Sequence, residues 1–481
     1  MKKTKFRKIS VIGITIIFLI LSVTSEIGGI NPSFLTINNK KPINTSNTLH
    51  NEEFIEAKHY SINQVFLENK ILGLIKERFF EKLIYRLMKI GHMSALSAAV
   101  IKNNEIVWAK GFGIYDREKN KQATEETIYL VASISKSFTA TAIMQLYEKG
   151  CFDLDDDVND YLPFNLRNPN HPDKPITFRM LLSHQSSLAT EREDLSNFVT
   201  RIIPGGMEIT GYPYPFLKEY LTPDGLYYQP QFWTDNTPGE EMHYSNIGFG
   251  ILGYLVEILS NKSFEEYCQE NIFEPLGMRN TSFKFANVNA TMVAVPYDFD
   301  SGEFYPIMHY DILDTPAGGL RTTVLDLSRF LIAHMNNGEY HGVRILNEST
   351  IKLMHTIQST SDNYKFHYGL GWQIWMKPTD ILIGHTGGLL GVSTKMVFRQ
   401  SDNTGIIFFT NKQITNMQEL FVFSLVEKLL FWKADGYKTW ELQKEKLWET
   451  ILSNEYLLKD FKNEEKIKKI KWLYSFLRTY V

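Results

Sequence analysis

The 481-residue sequence predicts an α+β (α/β sandwich) fold: one antiparallel sheet flanked by N- and C-terminal helices, with a mostly helical lobe inserted. Three observations predict it. Short β-prone runs stand near both ends of the chain, helical periodicity flanks them, and the long middle alternates helical stretches with irregular loops. Strands so far apart share one sheet only if the middle folds as a second lobe, and a cleft between lobes follows.

Taken in order, the chain opens on Lys2, Lys3, Lys5, Arg7 and Lys8, followed by an apolar run of 15 residues from Ile9 to Val23. A spanning helix needs ~20 such residues, so 1–25 reads as a signal peptide or membrane tether, and the expected location is extracytoplasmic, secreted or tethered. Residues 26–51, polar and rich in Asn, Ser and Pro, read as a linker. The body is expected over 52–435, with a sheet lobe at 52–130 and 376–435 and a helical lobe at 131–375.

Within the body, Val65, Phe66, Leu72, Ile75, Phe79, Leu83 and Leu87 recur at three- and four-residue steps, which predicts an amphipathic helix. The β-prone runs on either side of Asn103 and Asn104 predict a hairpin. Segment 203–240 gathers Tyr212, Tyr214, Tyr220, Tyr227, Phe232 and Trp233, which either line a cleft or pack a lid onto the core. Runs at 380–387, 391–400 and 404–412 read as three successive strands, and 417–432 as a helix. The charged tail 436–481 reads as a helical extension, docked on the body or lying on a membrane surface.

Composition narrows the function. Lys plus Arg at 51 against Asp plus Glu at 54 gives a net charge of -3, so no nucleic-acid partner is expected. Two cysteines, Cys151 and Cys268, cannot build a zinc-thiolate set or a disulfide scaffold, and two separate buried thiols are expected. The chain has no GxSxG elbow, no HExxH, no P-loop and no GxGxxG after a strand.

What the chain does carry is Ser133 and Lys136 at i and i+3, at the predicted start of a helix. That spacing brings a hydroxyl and an amine together on one helical face, and the helix N-terminus favours an oxygen that becomes anionic. To accept the serine proton, Lys136 must be uncharged, which requires burial and few nearby carboxylates. A second SxxK at Ser349 and Lys352 reads as a decoy, with Asn347 and Ser349 suited to capping a helix. Ser133 has further company in Tyr244 and Asn246, the only YxN triplet, and in His385, Thr386 and Gly387.

With these elements in this order the sequence resembles the serine β-lactamase and penicillin-binding-protein superfamily (β-lactamase/transpeptidase-like fold), in particular its class C-like branch with family VIII esterases and D-amino acid peptidases. The resemblance spans residues 60–433, with supporting phrases at LDDDVNDYLP, ITFRMLLSHQSSL, PAGGLRTTVLDLSRFL and YGLGW. It implies Ser133 as acylated nucleophile, Lys136 as its base and Tyr244 as a proton shuttle. It also implies Asn246 as the holder of Lys136 and of a substrate carbonyl, and backbone N–H groups of Ser133 and Gly388 as the oxyanion hole. Many members carry KTG where this chain has His385, Thr386 and Gly387. An unperturbed histidine is charged only about a quarter of the time at pH 7. Losing a cation ~4 Å from a carboxylate forfeits ~1 to 4 kcal/mol, which argues against an efficient β-lactamase or carboxypeptidase. Arg321 is expected to be a surface or sheet-edge residue rather than a replacement cation.

The sequence thus reads as an exported serine hydrolase acting on a small ester, peptide or lactam substrate without metal or organic cofactor. The rival readings are a β-lactamase or D-alanyl-D-alanine carboxypeptidase, and a binding or scaffold protein of the same fold with little turnover.

Overall fold

Nine strands pair antiparallel into one sheet in the computed structural model, which describes residues 73–437 apart from 75, 190–201, 205–215, 362–365 and 379. In chain order they are β1 (Ala95–Lys102), β2 (Glu105–Asp116), β3 (Lys121–Gln122), β4 (Ser359–Thr360), β5 (His367–Tyr368), β6 (Gln373–Lys377), β7 (Asp380–Leu389), β8 (Val392–Arg399) and β9 (Thr404–Thr410). Their spatial order is β4-β5-β6-β7-β8-β9-β1-β2-β3, so the first strand pairs with the last. The principal helices are α1 (76–90), α2 (Ser135–Glu148), α3 (Asn246–Ser260), α4 (Val324–Met335) and α5 (Met417–Ala434). The leader, the linker and the tail from 438 onward lie outside the described residues.

The β1–β2 hairpin turns through Asn103 and Asn104 at φ of 53° and 60°, the left-handed pair that a two-residue turn requires and asparagine tolerates. On β1 the alternation of a strand is used twice. Leu96, Ala98 and Val100 pack with Phe80, Ile84 and Leu87 of α1 and with Val422, Val426 and Leu430 of α5. Ala99 and Ile101 belong to the cluster on the other face, with Val324, Leu327 and Leu331 of α4. Helices therefore cover both faces, which is why Ala95 to Ile101 reads as one unbroken buried run rather than an alternating one.

Two expectations are corrected and one open alternative is decided. The sheet takes in β4, β5 and most of β6 at residues 359–375, which the sequence reading placed in the helical lobe; strands of two residues are too short to show a period. Of the two readings of the aromatic segment, packing holds for Tyr220, which stacks on Phe232 at 4.1 Å, and for the buried Phe232 and Trp233, whereas Tyr227 is exposed. Tyr212 and Tyr214 lie outside the described residues. Both cysteines are free, but Cys151 is only half-buried while Cys268 is buried.

Candidate active site

Ser133 stands in a 3-10 turn, Ala132–Ile134, that runs directly into α2. The turn is held tightly. Ala132 adopts φ of +50°, costly for a residue with a Cβ, and is fully buried. Thr394 Oγ1 on β8 donates to the Val131 carbonyl at 2.8 Å, and Ser135 Oγ donates to the Ala132 carbonyl at 2.7 Å. Gly387 on β7 completes the clamp. A Cβ there would lie 2.3 Å from the Val131 carbonyl oxygen and 3.1 Å from the Ala132 Cβ, so only glycine lets β7 lie this close to the serine turn.

Lys136, on the first turn of α2, is fully buried. Its Nζ lies 3.1 Å from Ser133 Oγ, 2.6 Å from Asn246 Oδ1 and 2.8 Å from the Ala317 carbonyl. Asn246 is the first residue of α3, whose Ser245 caps it by accepting from the Gly248 N–H. Tyr244, two residues earlier, places its ring centre 5.0 Å from Lys136 Nζ. Residues 110 positions apart thus meet around one amine. Ser133, Asn246 and Gly388 line a common cavity of about 40 Å³ together with Ile312, Asp314, Ala317, Gly318 and Leu389. Such a volume seats a carbonyl oxygen and little more, so the remainder of any substrate lies at its mouth.

His385 departs from its expected place. Its ring is fully buried and turned away from the cavity, with Nε2 2.7 Å from the Tyr368 hydroxyl and Nδ1 2.6 Å from the Thr386 carbonyl. A carbonyl only accepts, so Nδ1 carries the proton and the Tyr368 hydroxyl donates to Nε2. Burial first, and the nearby Lys136 second, push its pKa down to about 3. The imidazole is therefore neutral at pH 7, not one-quarter charged, and both its ring nitrogens are engaged within the protein. Thr386 and Gly388 remain accessible, and Gln373 Oε1 accepts from both the Thr386 N–H and its hydroxyl at 3.0 Å.

Arg321 is also misplaced by the sequence reading. It is buried, 2.7 Å from Asp311, so its charge is compensated inside the protein. The second SxxK is indeed separate: Lys352 pairs with Glu348 at 2.6 Å on an exposed helix face. Asn347 occupies the N-cap there but makes no side-chain capping bond. Two participants escaped the sequence reading: the Ala317 carbonyl and Gln373. Ala317 lies within a phrase that carried the resemblance and Gln373 directly follows another, yet neither a backbone acceptor nor a side-chain amide's partner leaves a mark in a sequence.

Fold and site together define a member of the β-lactamase and penicillin-binding-protein superfamily. The chain belongs to the β-lactamase family, whose model matches residues 80–427. It is 27% identical over 361 residues to Protein flp of Staphylococcus aureus (strain N315), covering 73% of this chain and 65% of that protein. The chain therefore spans just under two thirds of that relative's length. Among solved structures it is similar to an octameric penicillin-binding protein homologue from Pyrococcus abyssi, at 28% identity and a TM-score of 0.62, covering 73% of this chain and 76% of that one. A penicillin-binding protein from Bacillus halodurans is 25% identical with a TM-score of 0.56, covering 72% and 98%.

Proposed function

We propose that the protein is an exported serine hydrolase that cleaves an ester or amide bond of a small substrate through an acyl-enzyme on Ser133. One observation carries the reading: a buried amine 3.1 Å from the serine oxygen, with its other two contacts on oxygens that only accept. Acylation requires Lys136 as the free amine, and in that form two N–H groups donated to Asn246 Oδ1 and the Ala317 carbonyl leave the lone pair for the serine O–H.

In acylation the Ser133 proton passes to Lys136 Nζ while Oγ bonds to the substrate carbonyl carbon. The oxyanion takes hydrogen bonds from the backbone N–H groups of Ser133 and Gly388, each worth ~3 to 4 kcal/mol of barrier. The bond to the leaving group breaks, and Tyr244 gives that atom a proton that Lys136 restores. Water then adds to the acyl carbon, its proton returns through Tyr244, and Ser133 Oγ leaves reprotonated.

The site favours a neutral ester or amide over a carboxylate-bearing substrate. His385 is buried and uncharged, Arg321 is compensated by Asp311, and the cavity lining holds Asp314 with no lysine or arginine. The alternative, a β-lactamase or D-alanyl-D-alanine carboxypeptidase, accords with the names of the penicillin-binding relatives but finds no lysine or arginine among the described residues that line the cavity. Export rests on the basic and apolar pattern of residues 1–25. The test compares p-nitrophenyl esters, nitrocefin and D-Ala-D-Ala peptides on the wild type and on Ser133→Ala. Ester turnover that disappears in the variant is expected. Undiminished turnover by Ser133→Ala contradicts the reading, and nitrocefin as the best substrate moves it to the lactamase alternative.

A further inference from the structure

Resting on that reading, we infer that His184 is a positioning residue of the site, whose imidazole holds the turn that carries Tyr244 and Asn246. His184 follows the short helix Phe178–Leu182, is almost fully buried and adopts φ of +61°. It grips the turn from both sides of Tyr244. Its carbonyl accepts the His243 N–H at 2.8 Å, and its Nδ1 accepts the Ser245 N–H at 3.1 Å. Between those two bonds the ring of Tyr244 lies 4.3 Å from the imidazole, centre to centre. Tyr368, the partner of His385, flanks the imidazole edge-on at 4.5 Å.

Acceptance at Nδ1 fixes the tautomer, with the proton on Nε2. That Nε2–H has no hydrogen-bond acceptor among the described residues. A leucine or phenylalanine would fill the same space without burying an unsatisfied donor, so what the imidazole adds over an apolar side chain is the acceptor at Nδ1. The role requires a neutral ring. Burial, the largest influence on it, holds the pKa well below its ordinary value. Among the described residues its aromatic neighbours are Tyr244, Phe249 and Tyr368, and the charged or titratable groups nearest it are Lys136 and His385.

The test uses the full chain, with His184→Ala, His184→Asn and the double variant His184→Ala/Tyr244→Phe. Asparagine keeps an acceptor near Nδ1 and tolerates the left-handed backbone. Removing the acceptor lets the turn drift, and a displacement of about 1 Å costs roughly 100-fold. His184→Ala is expected to lower ester kcat by about 10- to 100-fold with KM little changed, and His184→Asn to stay within about threefold of the wild type. In the Tyr244→Phe background the alanine change should cost clearly less than in the wild type, because the Tyr244 hydroxyl it positions is already gone and only the placement of Asn246 is left to lose. Full activity in a folded His184→Ala overturns the inference. So does an asparagine variant as impaired as the alanine one, or a loss that is additive with Tyr244→Phe. If the alanine variant does not fold, the asparagine variant decides alone. Fluorophosphonate labelling of wild-type Ser133 separates the two claims: labelling with an unaffected His184→Ala overturns this inference only, whereas a wild type that never labels overturns both.

Discussion

Replacing Gly387 by alanine should damage turnover far more than the addition of one methyl group suggests. The new Cβ would meet the Val131 carbonyl oxygen at 2.3 Å and Thr394 Oγ1 at 2.4 Å, where ordinary contact begins at 3.4 Å. Thr394 can rotate only by giving up its 2.8 Å bond to Val131, and the backbone oxygen cannot yield at all. Either β7 or the serine turn must therefore retreat by about 1 Å, a misplacement that costs roughly 100-fold in kcat when it falls on a nucleophile or an oxyanion donor. Overpacking of this kind costs about 1 to 3 kcal/mol of stability. The neighbouring Gly388→Ala is the control, since its Cβ would meet nothing within 4 Å and the stability should stay at the wild-type value. Ester kcat and urea unfolding of both variants check this. A Gly387→Ala protein with unchanged stability and kcat within about threefold of the wild type would refute the clamp.

Other outcomes follow from the same contacts. Lys136→Ala should lower kcat/KM by about 10²- to 10⁴-fold, and the labelling of Ser133 by a fluorophosphonate should slow in parallel. Asp311→Ala strands the buried Arg321 guanidinium and should cost about 3 to 5 kcal/mol in urea unfolding; a loss below about 1 kcal/mol would contradict the pair's role. His385 and His355 have pKa values pushed down to about 3, His355 by burial alone. Between their unfolded value of ~6.5 and that figure, the unfolded chain binds protons that the folded chain refuses. Stability is therefore present above ~6.5 and is lost as pH falls toward 3, by ~1.4 kcal/mol per pH unit for each histidine. Equal urea midpoints at pH 7.5 and 5.5 would contradict this.

Much of the site was legible because its chemistry is local. Ser133 and Lys136 meet through an i, i+3 step, and Asn103-Asn104 dictates a hairpin whatever surrounds it. The meeting of Tyr244 and Asn246 with that pair came from the resemblance alone, since nothing in spacing brings residues 110 positions apart together. What stayed hidden is decided by partners distant in sequence. A strand offers His385 two faces, and the Tyr368 hydroxyl selects the buried one. Arg321 finds Asp311 on a neighbouring segment, so a residue expected at the surface becomes an internal ion pair. The short strands exist because each has an edge to pair with, β5 on β6 and β4 in turn on β5, not because their residues favour it.

The most direct test of the acyl-enzyme is intact mass followed by peptide mapping, taken within the first turnovers after mixing with a p-nitrophenyl ester. The account predicts one acyl group per chain, attached to Ser133, absent from Ser133→Ala and slow to form in Lys136→Ala. An acyl group on another residue, or hydrolysis at the wild-type rate by a chain lacking the Ser133 hydroxyl, would contradict it.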